Sequence, residues 1–217
     1  LDVSGFLLIT PPILFSLTIH EFAHAWTANK LGDPTAKELG RLTLNPLAHI
    51  DFLGLLMLYL VHLGWAKPVP VNPYNFQNPR KDMMWVAAAG PISNIILAFV
   101  LGLFIRSMVH TGISFDPNTF SGILIYMLVF GFIINLVLAF FNLLPIPPLD
   151  GSKILRGFLP ARYEIYMIYL ERFGPFLILF IFLMGQFLHL SFLWSWLRPI
   201  VRFFSLLFAG TDLTQAL

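Results

Sequence analysis

The 217-residue chain contains no cysteine. That removes disulfides and thiolate metal sites, so any metal must be held by His, Asp or Glu. Charge is scarce too. Lys, Arg, Asp and Glu make up 11% of residues, and their balance is only +2. Nothing here resembles the basic surface that nucleic acid requires, so no nucleic-acid partner is expected. What fills the chain is apolar: 58% of residues are hydrophobic, 23 are Phe, and mean hydropathy is +0.80. A soluble domain of this length has no interior large enough for that much apolar surface. The composition predicts an all-α polytopic membrane protein, one multi-pass domain over residues 1–217.

A first apolar helix is expected over about 3–30, with Pro11-Pro12 kinking or restarting it. A polar connection follows, in which Arg41-Leu42-Thr43-Leu44 alternates like a short strand. Residues 52–63 are apolar but too few for a span, which needs about 20, and read as a re-entrant segment. Trp65 to Pro73 carries Pro68, Pro70 and Pro73, which exclude helix and favour extended chain or an edge strand. Helices over about 83–105 and 120–144 are long enough to span. A further transmembrane helix is expected over about 173–193, with Gly174-Pro175 at its start. The stretch from Trp194 to Phe208 has Arg198 and Arg202 four apart and reads as a C-terminal interfacial helix. The first helix carries the motif described next, so no cleavable leader is expected.

Residues 20–24 read His20-Glu21-Phe22-Ala23-His24. Two histidines four apart on a helix share one face, so both imidazoles reach one metal ion. Glu21 is placed to contact a water there without being a ligand. This is the pattern of zinc hydrolases, with the carboxylate as general base. With 6 His in 217 residues, a chance match is expected on the order of 0.003 times. The motif also follows an apolar run from Phe6 to Ile19, and ionisable groups at membrane depth are costly and functional by default.

A catalytic zinc needs a third protein ligand. If 52–63 is re-entrant, the ends of the first and fourth segments share one side, and Asp150 joins His20 and His24. Pro145, Pro147 and Pro148 hold the backbone that presents it. The same topology gathers Lys30, Lys37, Arg41, Lys67, Arg80, Lys81, Lys153, Arg156, Arg162 and Arg172 on the motif side, against Arg106 on the other, with Arg198 and Arg202 late in the tail. The positive-inside rule then makes that side cytoplasmic. His49, His62, His110 and His189 lack a partner at ligand spacing and are expected at interfaces or in hydrogen bonds. Asn94 has two readings: packing on a small-residue helix face, or a place near the active site.

The motif at 20–24, together with Asn142-Leu143-Leu144-Pro145-Ile146-Pro147-Pro148-Leu149-Asp150-Gly151, resembles the site-2 protease family of intramembrane zinc metalloproteases. Gly90-Pro91-Ile92-Ser93-Asn94 is similar to that family's glycine-containing motif. The resemblance implies a three-helix catalytic core, zinc held by His20, His24 and Asp150, Glu21 as acid and base, and Asn142 assisting. It implies hydrolysis of peptide bonds in or near transmembrane segments. The chain looks like compact bacterial or archaeal members, with neither a PDZ domain between core helices nor a C-terminal regulatory domain. The partners this implies are a transmembrane protein or peptide substrate, the lipid bilayer and, as an option, a homo-oligomer. Val69 and Val71 of the proline-rich stretch offer an edge for an extended substrate; a plain surface loop is the competing reading. A metal-ion carrier or conduit built on the same His, Glu and Asp cluster is the competing function. The chain shows none of the repeat halves that many transporters carry.

Overall fold

The computed structural model describes residues 3–61, 64–110, 119–187 and 192–215. Among them the chain forms α1 (Val3–Lys30), α2 (Thr35–Glu38), α3 (Phe52–Val61), α4 (Pro79–His110), α5 (Phe120–Asn142), α6 (Asp150–Phe158), α7 (Glu164–Phe187) and α8 (Phe192–Phe208). Pro79–His110, Phe120–Asn142 and Glu164–Gly185 are long and apolar enough to cross a membrane. The all-α polytopic class expected from composition holds.

Three helices, α1, α4 and α5, make the core that positions the site. Ala25 and Ala28 of α1, Ala87 and Ala98 of α4 and Ala139 of α5 are buried where backbones approach closely. Their directions follow from their contacts. Asn135 of α5 reaches Ser16, and Gly131 faces Pro12, so α1 and α5 run parallel. Asn94 reaches Ser16 while Val86 reaches His24, so α4 runs the other way. The end of α1, the start of α4 and the end of α5 therefore meet at one end of the bundle. The other half is apolar: Ile105, Ile125, Phe132 and Leu136 pack with Val201 of α8.

The α3 excursion returns to its origin. Ile50 and Ala66 pair in an antiparallel bridge, and the Lys67 N–H donates to the His49 carbonyl at 2.9 Å. A segment whose two ends touch does not change sides, so the re-entrant reading of 52–63 fits α3. His62 and His189 lie outside the described residues.

Several boundaries differ from expectation. α1 runs unbroken through Pro11-Pro12. No strand forms at 41–44: Asn45 caps a short 3-10 turn instead, its side chain accepting from Leu47. The 65–73 stretch is extended over 65–72, with a single bridge at Ala66 among the described residues, and Pro73 opens a 3-10 turn capped by Asn72. α4 begins at Pro79, a favoured first helical residue, and Asp82 accepts from the Asn78 N–H at 2.8 Å. It continues to His110, past the expected end, and α5 stops at Asn142. α7 begins at Glu164, not at Gly174-Pro175. Gly174 marks a crossing instead, since a Cβ there would lie 2.4 Å from the Pro147 carbonyl oxygen. The span expected over 173–193 reaches beyond the described part of α7. α8 buries Leu197 and Val201 and leaves Arg198 and Arg202 exposed, as an interfacial helix does.

Candidate metal centre

Helical spacing brings the His20 and His24 rings to 4.6 Å between centroids, both buried. Asp150 arrives from 126 residues beyond His24, at the first position of α6. Its place depends on Gly151, where a Cβ would lie 2.2 Å from the Leu143 carbonyl oxygen. Asp150 Oδ2 sits 3.1 Å from His20 Nε2 and 3.2 Å from His24 Nε2.

The outer nitrogens fix the tautomers. His24 Nδ1 lies 2.7 Å from the Val86 carbonyl, which only accepts. His20 Nδ1 lies 2.6 Å from Asn94 Oδ1. The Asn94 amide orientation is assigned by its network: Nδ2 donates to Asn135 Oδ1 at 2.7 Å and to the Ser16 carbonyl at 3.2 Å. Both Nδ1 atoms therefore carry a proton, and in the neutral rings both Nε2 atoms present a lone pair. Two imidazole lone pairs and a carboxylate oxygen then converge on one point, an arrangement that a single metal cation satisfies. The donor set of two nitrogens and one oxygen, with room for a fourth ligand, fits zinc. The ligand atoms lie within 4.8 Å of one another.

A cavity of about 500 Å³ opens onto these atoms, lined also by Glu21, Val69, Val71 and Asn142. Glu21 Oε2 accepts from the Val69 N–H at 2.9 Å. Asn142 Nδ2 donates to the Leu138 carbonyl at 3.0 Å, one turn back. Asn94 lies behind the site: it is fully buried and reaches the cavity only through His20. His49, as expected, is hydrogen-bonded, its Nε2 2.9 Å from the Thr43 carbonyl.

Sequence reasoning missed the residues that hold the 67–72 stretch against Glu21. Arg41 is buried and its Nη2 donates to the Lys67 carbonyl at 2.7 Å, its Nη1 to the Pro68 carbonyl at 3.2 Å. At the other end Asp33 Oδ2 accepts from the Asn72 N–H at 2.8 Å. Burial opposes the charge of Asp33, yet donors from Thr35, Asn75 and Asn72 outweigh it and hold the carboxyl below the usual range. A lowered pKa means this anchor is fully present above the ordinary carboxylate pKa and lost only as pH falls through the lowered value. Protease accessibility of residues 66–72 reads it, and loosening toward alkaline pH would contradict it. Only residue types that make long-range hydrogen bonds hinted at these roles; their targets are backbone atoms, which leave no mark in a sequence.

Two variants follow from this geometry. Asn94→Ala leaves His20 Nδ1 without its acceptor, and such orienting partners are worth roughly 10–100-fold in metal affinity. Chelator competition measures this, and unchanged affinity would make Asn94 a packing residue. Arg41→Lys replaces a two-armed fork with a point charge. The expected result is roughly tenfold faster proteolytic nicking of residues 66–72 with metal content intact; parallel loss of both would mean general misfolding.

Fold and site together define a helical membrane protein with a buried two-histidine, one-aspartate group able to hold one metal ion. The chain belongs to peptidase family M50, whose model matches residues 9–183. It is 40% identical over 214 residues to a Bacillus subtilis protein named "Putative zinc metalloprotease YwhC", covering 96% of this chain and 94% of that one. "Putative zinc metalloprotease Rip2" of Mycobacterium tuberculosis is 32% identical over 184 residues, 82% of this chain and 67% of its own. "Putative zinc metalloprotease MJ0611" of Methanocaldococcus jannaschii is 49% identical over 126 residues, 54% of this chain and 61% of its own. No solved structure matches.

Proposed function

We propose that the chain is an intramembrane zinc metalloprotease that hydrolyses peptide bonds in or near transmembrane segments of other proteins. The observation that carries this reading is the convergence of His20 Nε2, His24 Nε2 and Asp150 Oδ2 in a cavity that Glu21 also lines, within a bundle of membrane-spanning length. The names of its relatives support the same chemistry.

Zinc held by these three residues supplies Lewis acidity and lowers the pKa of water to about 7. Glu21 takes the proton from the attacking water and later hands it to the leaving amine, a role suited to a carboxylate inside a shielded cavity. Asn142 donates a hydrogen bond toward the oxygen on which charge develops. A substrate helix must first unwind, because its carbonyls are engaged in helix hydrogen bonds. Val69 and Val71 then offer backbone groups to which an extended peptide adds. The basic residues near this end of the bundle orient the site toward the cytoplasm of a bacterial or archaeal cell. The whole chain acts as one membrane-embedded domain.

A carrier or conduit needs a polar path onward from the metal. Among the described residues the polar line from His20 through Asn94 and Asn135 reaches Ser16 and closes on the Pro12 carbonyl, and Ile105, Phe132 and Leu136 fill the bundle beyond. This supports hydrolysis over transport. Purified protein in detergent, given a membrane-spanning test peptide, is expected to cut it, to stop on chelation and to recover with zinc. Metal flux across vesicles without scission would overturn the reading.

A further inference from the structure

A second cavity, of about 410 Å³, adjoins the metal centre; Met83 and Lys153 line both. Its polar wall carries Arg80, Lys153 and Arg156 against Glu164 and Glu171. Three cations face two anions there, but the pairing is uneven. Arg156 takes both acids: it pairs with Glu164 and lies 2.6 Å from Glu171. That double pairing ties α6 to the first turns of α7; Glu164 also feels the charge of Arg80, without an ion-pair contact, and the lining still carries three cations against two anions.

Arg80 donates its Nε hydrogen to the Arg156 carbonyl at 2.7 Å, which fixes the plane of the guanidinium. Its Nη2 is buried and has no hydrogen-bond partner among the described residues. A buried guanidinium N–H without an acceptor is costly to keep, but this nitrogen is closed off from the cavity; it is the rest of the Arg80 side chain, which lines the cavity, that offers its charge to a ligand carboxylate. Lys153 is half exposed, and its nearest acid is Asp150, 4.0 Å away. Once Asp150 serves a metal ion, its charge no longer balances Lys153. The lobe beside the metal centre then carries surplus positive charge, with apolar walls from Pro73, Pro79 and Met83 suited to a methylene stem.

We propose that this cavity is a subsite for an Asp or Glu side chain of the polypeptide substrate, held by Arg80 and Lys153, a few residues to one side of the cleaved bond. The inference rests on the protease reading, because it is the shared wall with the metal-centre cavity that places a peptide there. An extended chain advances about 3.3 Å per residue, so a residue near the cut reaches the neighbouring lobe. A phosphate of an anionic lipid has the same charge but enters from the bilayer, and its binding would not depend on peptide sequence.

Two measurements test this on the full chain in detergent. In the first, binding of fluorescent membrane-spanning peptides is followed, each carrying one acidic or one matching amide residue stepped through the flanks of the cleavage region. One flank position is expected to bind about tenfold tighter with Glu or Asp than with Gln or Asn. Arg80→Met is expected to bring that ratio to within about twofold, and Arg80→Glu to transfer the preference to a Lys at the same position. Equal binding of acidic and amide peptides at every position would overturn the proposal. So would an Arg80→Met effect equal on both members of each pair, which would make Arg80 a packing residue. In the second, the same peptides are compared in vesicles with and without phosphatidylglycerol. A response set by the lipid and blind to the peptide residue would assign the cavity to lipid and also overturn the proposal. Failure of the protease reading appears separately, as normal peptide binding without zinc-dependent cleavage.

Discussion

Glu21→Gln is expected to keep zinc at wild-type stoichiometry and to lower peptide cleavage by roughly 10²–10⁴-fold. The substitution is unusually clean here. Glu21 has two tasks in the structure: it faces the metal-centre cavity, and its Oε2 accepts the Val69 N–H. Glutamine retains an oxygen that accepts from Val69, so the 67–72 stretch keeps its place. What glutamine loses is the ability to take a proton at neutral pH. Glu21→Ala removes both functions, and its added cost in peptide affinity reports what the Val69 hydrogen bond contributes. Cleavage at the wild-type rate by Glu21→Gln would remove Glu21 from proton transfer.

Gly90→Ala has the second large effect, and it arises from packing alone. A Cβ at Gly90 would lie 2.6 Å from both Cε1 and Nε2 of His20 and 2.6 Å from Cε1 of His24. No real Cβ tolerates such distances, and the neighbours that would have to yield are the two imidazoles. Their outer nitrogens are pinned by Asn94 and the Val86 carbonyl, so the rings have no second resting place. One added methyl group is therefore expected to cost most of the bound zinc while the helices stay formed. Gly131→Ala is the matched control. Its Cβ would meet Leu101 at 3.5 Å and Pro12 at 3.6 Å, which is ordinary contact. There the substitution is expected to be neutral, or to add up to about 1 kcal/mol through helix propensity. Equal zinc content in the two variants, measured by elemental analysis on folded protein, would contradict the packing argument.

The contrast between what the chain revealed and what it concealed has a physical pattern. His20, Glu21 and His24 were legible because helical periodicity converts spacing into direction. Asp150 was legible because the short apolar segment at 52–63 constrained which helix ends share a side. Asn142 was named in the sequence and lines the cavity; Asn94, read there either as packing or as near the active site, lies behind His20 and holds its ring. Arg41, Asp33 and Asn135 were not legible as a set. Each acts on backbone atoms or on amides from another helix, and such partners have no signature in spacing. The start of α7 was misplaced because Gly174-Pro175 reads as a helix boundary, whereas the glycine makes room for Pro147 and the helix passes through. The strand expected at 41–44 failed because alternation requires a partner edge, and the one edge nearby is held by Arg41 and Ile50 at single points.

The central claim is that two imidazoles from one helix and a carboxylate from a distant turn hold one zinc ion. Zinc-edge X-ray absorption on the purified protein, compared with Asp150→Ala, tests it most directly. The account predicts one zinc per chain with two imidazole nitrogens at about 2.0–2.1 Å and a carboxylate oxygen at about 2.0–2.2 Å, and loss or marked weakening of binding in the variant. Full zinc occupancy with an unchanged coordination spectrum in Asp150→Ala would contradict it.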